Sequence, residues 1–266
     1  MKSFFKSINV ALKVETIKTI KSKVFLWIIL FSLFVSFMLW VLFYMIKNPT
    51  IARESIILRA KANILGSTAD WKTFHEIMNM LIAIIGFISF GFLTIWIFGR
   101  EYVEKTYKDL LALPIKREAI IMAKTINSFL FSIVIAFFLY LFSMIAAFLV
   151  GLGEFDSKIA LFSLKRYLII SLMNIALTTV LSFITSIARS YIMPFGFLVL
   201  MILVSNFAIN LSENSQYIPW AIPLIYAGMF IKEGLTIDFI SYIILAFTCF
   251  LGFVSTIIFW VKADQR

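Results

Sequence analysis

Reactive side chains are scarce in this chain of 266 residues: one histidine, one cysteine, and a charged fraction of only 14%. Cys249 has no second cysteine to pair with, so an internal disulfide is excluded. It lies inside an apolar run and reads as a buried, inert thiol. His75 is followed by Glu76 but by no second histidine four residues on, so the zinc-protease spacing fails. A lone histidine outside the apolar runs reads as a solvated side chain. No G-x-x-x-x-G-K-[ST] phosphate loop occurs anywhere, which argues against nucleotide hydrolysis by this chain itself. The apolar runs hold no carboxylate pair and no metal-ligand cluster, so neither an intramembrane enzyme nor a metal site is expected. The same lack of ionisable groups at depth speaks against a proton-coupled carrier.

Apolar residues are what the chain has in excess. They make up 62% of it, 30 of them phenylalanine, and the mean hydropathy is +1.01. Soluble domains hold about 45–50% apolar residues, so lipid must solvate much of this surface. A membrane-crossing helix needs about 20 predominantly apolar residues. Six runs qualify, at 24–46, 77–98, 125–150, 167–187, 192–211 and 239–261, and none contains Asp, Glu, Lys or Arg. The first is too long for a signal-peptide core and lacks a small-residue cleavage site, so it is expected to be retained. The expected fold is all-α: one polytopic membrane domain over 1–266 with six transmembrane helices.

The net charge is +10. Its Lys and Arg residues flank the apolar runs, which points to topology and lipid contact and away from nucleic acid. With both termini inside, fifteen of the 24 Lys and Arg fall on the inner side and nine on the outer. Both termini are therefore expected in the cytoplasm. Residues 1–23 mix Phe4, Phe5, Ile8, Leu12, Ile17 and Ile20 with six lysines. They read as a helix lying in the inner interface, the alternative being a basic tail that only orients span 1. Glu15 spoils the pattern by falling near the apolar side.

Residues 99–124, GREYVEKTYKDLLALPIKREAIIMAK, form a polar island between spans 2 and 3. Val103, Tyr107, Leu110, Leu111 and Pro114 include the spacing of one helical face. Glu101 precedes Lys105, and Glu104 precedes Lys108, by the four residues that favour an ion pair on a helix. Pro114 ends the helix. The expectation is a short helix along the inner membrane face, held between two spans. On the outer side, 159–164 reads as a short apolar turn. Residues 212–238, broken by Pro219 and Pro223, read as a re-entrant element or a loop packed over the helix ends. Neutral polar residues lie at depth: Asn174, Thr178 and Ser182 in span 4, and Ser205, Asn206 and Asn210 in span 5. They are candidates for a substrate path or a dimer seam, or for ordinary interhelical hydrogen bonds.

This order of parts resembles the permease subunits of type-2 ABC transporters. Those have an interfacial N-terminal helix, six spans, a cytoplasmic coupling helix between spans 2 and 3, and broken outer helices between spans 5 and 6. The match is clearest in FGREYVEKTYKDLLALPIKREAIIMAK at 98–124, where Glu101, Thr106, Leu110, Leu111, Pro114, Arg117 and Lys124 hold the family's positions. Many relatives carry glycine before the threonine, where this chain has Lys105. The wording is most similar to the bacitracin-resistance branch, with lantibiotic-immunity, peptide-toxin-export and sodium-efflux permeases as neighbours. The resemblance implies a multi-pass subunit of a bacterial plasma membrane, paired with a second permease copy, identical or related. It implies separate cytoplasmic ATPase subunits that bind ATP and Mg. Arg100, Glu101, Val103, Glu104, Thr106, Tyr107, Leu110, Leu111, Pro114 and Arg117 would couple the two. The implied activity is export of an amphipathic peptide or antibiotic. A non-transporting sensor or scaffold, or an ion-coupled carrier, is the alternative.

Overall fold

The computed structural model describes residues 2–48, 69–107, 115–228 and 237–262, and among these every regular element is helical. Helix α1 (Lys2–Lys21) is followed by α2 (Lys23–Lys47). Helices α3 (Trp71–Leu81) and α4 (Phe87–Val103) are joined by a π-helical turn, Ile82–Gly86, into one continuous span. Then come α5 (Arg117–Val150), α6 (Ser157–Ala188) and α7 (Ile192–Leu211). A 3-10 turn (Glu213–Tyr217), the short α8 (Ile222–Tyr226) and α9 (Phe239–Lys262) complete the order. Six of these helical stretches are long and apolar enough to cross a membrane, and they coincide with the six runs read from the sequence.

Three spans begin earlier than hydropathy suggests. The helix of span 2 starts at Trp71, that of span 3 at Arg117 and that of span 4 at Ser157. Asp70 accepts from the Thr73 N–H, and Asp156 from the Lys158 and Ile159 N–H groups, so both starts are fixed by N-cap carboxylates. The apolar turn expected at 159–164 is therefore the first part of α6. At the other end of α5, Gly151 adopts a left-handed φ of 70°. Lys47 there donates to the carbonyls of Val150 and Gly151 at 2.7 and 2.6 Å, so a cation closes the negative end of the helix.

The bundle distributes its residues as a membrane protein does. Large apolar side chains such as Phe137, Phe148, Phe162, Phe207, Phe247 and Phe250 are exposed on its flanks, while serines and threonines are buried between helices. Small hydroxyl residues let helices approach closely and bond across the seam. Ser36 meets Ser143 at 3.1 Å (α2–α5), Thr94 meets Ser128 at 2.6 Å (α4–α5), and Ser182 meets Thr256 at 3.0 Å (α6–α9). The α6–α9 contact is backbone-close at one point. A Cβ on Gly252 would stand 2.8 Å from the Val180 backbone nitrogen, so only glycine fits there. The 212–238 segment folds inward as far as it is described: α8 buries Ile222, Pro223, Leu224 and Ile225, packing against α6 and the π turn. Residues 229–236 lie outside the described residues.

Candidate functional site: a buried ion cluster behind the polar island

Four ionisable side chains from three helices are buried together where α1, α4 and α5 converge. Glu15 comes from α1, Arg100 and Glu101 from the end of α4, and Lys124 from α5; each is at most 4% exposed. Lys124 Nζ donates to Glu101 Oε2 at 2.8 Å, to Glu15 Oε2 at 3.3 Å and to the Ile97 carbonyl at 2.9 Å. An ammonium has three protons, and all three are satisfied. Arg100 Nε donates to Glu101 Oε1 at 3.0 Å and its Nη2 donates to Glu15, while the guanidinium lies 4.8 Å over the Trp96 ring. Lys18, half-buried, reaches Glu15 and Glu101 at 3.4 Å from the rim.

The four buried charges sum to zero, and no single helix is neutral on its own except α4. Pulling α1 away would strand Lys124 and Arg100 with one carboxylate between them. An unpaired buried charge costs several kcal/mol, so the cluster binds the three helices as one body. A second layer reinforces it. Asn127 Nδ2 donates to Thr19 Oγ1 at 2.8 Å, and Thr16 Oγ1 donates to Asn127 Oδ1 at 3.2 Å. Ile8, Ala11, Glu15 and Thr19 thus form the buried stripe of α1, whereas Phe5, Val10, Val14, Ile17 and Ile20 are exposed. Glu15, an apparent blemish in the sequence, is the charged member of the stripe by which α1 docks.

The expected Glu101–Lys105 pair on one helix does not form, because α4 ends between them. The Thr106 N–H bonds the Glu101 carbonyl at 2.9 Å, the Lys105 N–H bonds the Tyr102 carbonyl at 3.3 Å, and Lys105 holds a left-handed φ of 59°. That is a Schellman stop, whose left-handed position favours glycine. Val103 and Tyr107 are therefore not on one continuous helix, as the spacing alone suggests. Val103, Glu104, Lys105 and Thr106 make an exposed turn. Directly behind it, the Tyr102 ring packs 5.6 Å from Tyr107 and 5.8 Å from Trp260 of α9, whose carbonyl accepts from exposed Arg117 at 3.4 Å. Nearby, burial pushes the Tyr191 phenol up to about 12, with the carboxylates of Glu104 and Glu101 adding to the shift, so it is neutral at cellular pH. Leu110, Leu111 and Pro114 lie outside the described residues.

The polar residues at depth separate into two sets. Asn174, Thr178 and Ser182 are buried inside this chain's own bundle. Asn174 Nδ2 donates to the Ile82 and Ala83 carbonyls at 2.9 and 3.2 Å, and so holds the π turn. Thr178 donates to the Ile175 carbonyl, while Ser182 meets α9 at Thr256. On α7, Ser205 is buried, Asn206 half-buried and Asn210 exposed; the two asparagine amides donate to carbonyls of their own helix. Among the described residues no group of three or more His, Cys, Asp or Glu is placed to hold a metal.

Residues 11–206, which include the whole cluster, match the family described as ABC-2 family transporter protein. The chain belongs to the ABC-2 transporter family. This permease is also 25% identical over 194 residues to the bacitracin transport permease protein BCRB of Bacillus licheniformis, covering 73% of this chain and 92% of that protein. The resemblance read from 98–124 is thereby borne out, and with it the assignment to a multi-pass membrane permease close to the bacitracin branch. As a member of a permease family it is a transport subunit, and membership implies association with an ABC ATPase.

Proposed function

We propose that this permease is the membrane half of an ATP-driven exporter, and that the 99–124 segment is the handle by which a separate cytoplasmic ATPase moves it. The observation that carries the reading is the neutral ion cluster immediately behind the exposed 103–106 turn. A force on a floppy loop is absorbed locally. A force on this turn acts on α4, whose last residues are tied by Arg100 and Glu101 to α1 and α5, so three helices move as one. In this scheme Arg100 and Glu101 are positioning residues inside the lever. Val103, Glu104, Thr106, Tyr107 and Arg117 meet the ATPase, together with Leu110, Leu111 and Pro114 of the family pattern. ATP and Mg bind on the ATPase. Both termini and this segment face the cytoplasm, in keeping with the excess of Lys and Arg on that side.

The cargo is an amphipathic peptide or antibiotic, a reading supported by the name of the Bacillus licheniformis relative. The permease pairs with a second copy, identical or related, along α7. Little of that span is buried within one chain, and it carries the half-buried Asn206 and the exposed Asn210. Replacing Leu110 and Leu111 together with Asp tests the handle. The variant is expected to insert normally, to lose at least tenfold in export or resistance, and to leave the ATPase turning over uncoupled. Normal resistance rejects the coupling role. Extraction in mild detergent is expected to bring a nucleotide-binding subunit along; its consistent absence favours a sensor or scaffold.

A further inference from the structure

At the end of the bundle opposite the ion cluster, α3 and α6 begin side by side and line an open cavity of about 400 Å³. This volume lies in the range of small-ligand sites, about 300–1,000 Å³. One face of α3 supplies Lys72, His75, Glu76 and Asn79, at i, i+3, i+4 and i+7; α6 supplies Lys158, Phe162 and Arg166, at i, i+4 and i+8. Asn79 Nδ2 donates to Ser163 Oγ at 3.1 Å across the two helices.

Three observations say that something belongs there. The lining carries three cations against one carboxylate, and none of the four takes part in an ion pair among the described residues. His75 is 2% exposed, packed 6.0 Å from the Trp71 ring, and neither ring nitrogen has a hydrogen-bond partner; Asn79 Oδ1 is equally buried and equally unpartnered. A buried polar atom left without a partner forfeits the hydrogen bonds it made with water, and a bound ligand restores them. The third observation is an apolar flank. Phe162 is 68% exposed, and the Arg166 guanidinium lies 5.9 Å from its ring and 5.8 Å from that of Tyr226.

We infer that this cavity binds a phosphate ester that carries a neighbouring hydroxyl, the chemistry of a phosphoglycerol headgroup. Lys72, Lys158 and Arg166 take the phosphate oxygens, with one His75 N–H as a further donor. Asn79 Oδ1 and the Glu76 carboxylate accept from the hydroxyls, a role that an anion without donors leaves empty. Phe162 and the neighbouring Ile159 offer an apolar surface to an acyl chain. The site stands apart from the coupling segment and does not depend on how transport is driven.

Native mass spectrometry of the purified permease, titrated with phosphatidylglycerol, phosphatidylcholine and free glycerol 3-phosphate, tests it. One phosphatidylglycerol is expected to bind at least tenfold more tightly than phosphatidylcholine. The K72Q/K158Q variant, altered only at exposed side chains, is expected to fold with unchanged thermal stability and lose that preference; the single reversal Lys158→Glu should weaken binding in the same direction. Displacement by millimolar glycerol 3-phosphate identifies a soluble ester as the ligand, and retention against it identifies the lipid; either outcome upholds the site. Equal binding of the two lipids, as expected of a cavity that holds water alone, or unchanged selectivity in both variants, overturns it.

Discussion

Lys124 shows how a charge can be fully buried at the edge of a membrane bundle: every proton has an acceptor, and two of those acceptors are carboxylates. Removing one partner of such a set typically costs about 3–5 kcal/mol, whereas replacing both with apolar side chains is often close to neutral. Lys124→Met should therefore lower thermal stability in detergent by an amount in that range. Glu101→Leu with Lys124→Leu should recover most of the loss, because Glu15 and Arg100 remain paired. Equal stability of the single variant and the wild type contradicts the cluster's structural role. Lys105 gives the opposite sign. A left-handed residue other than glycine costs about 1–2 kcal/mol, partly offset by glycine's greater freedom in the unfolded chain. Lys105→Gly should thus stabilise the permease by about 0.5–1 kcal/mol, read as a higher melting temperature. At this scale the sequence was only half legible. The buried carboxylate on α1 was visible as a break in the pattern, but its two buried partners, Arg100 and Lys124, lie 85 or more residues away in the chain. Spacing reports neighbours on one helix and says nothing of such distances. His75 misled for a related reason: polar flanks made its surroundings look like a loop, whereas the Asp70 cap draws it into the first turns of a span.

Helix–helix contacts in this bundle are set by what is small and by what can bond. Gly252 lets α9 approach the backbone of α6, and the Thr179–Cys249, Ser182–Thr256 and Trp260–Ser186 bonds run along the same seam. Gly252→Val drives a side chain into backbone that cannot rotate away. Overpacking of this kind costs about 1–3 kcal/mol, so lower thermal stability and weaker expression are expected; an unchanged melting curve contradicts the assigned contact. The spans themselves were legible because apolar length is a direct physical requirement of the bilayer. Their starts were not. Helix α5 has 34 residues, a length of about 51 Å at 1.5 Å per residue, so it exceeds the hydrocarbon core by several turns. Hydropathy marks where lipid begins, while the hydrogen-bonded helix continues past it. The π turn left no hydropathy signal either, although Asn174, noted as a polar residue at depth, is the side chain that supports it.

Among the described residues the molecule is a bundle whose outside is apolar and whose inside is bonded by small polar groups, with a charged knot at the end where its polar island emerges. Membership in the ABC-2 family and the likeness to a bacitracin permease identify a transport subunit. The knot ties three helices together at the island's base, and on the proposed coupling a push on the island would move them as one. That coupling requires the island to lie in the cytoplasm. In a Cys249→Ser background, Lys105→Cys places a single thiol on the exposed turn. A membrane-impermeant maleimide should label it in inverted membrane vesicles and leave it unlabelled in intact cells. Labelling from outside intact cells puts the island out of reach of any cytoplasmic ATPase and contradicts the coupling mechanism.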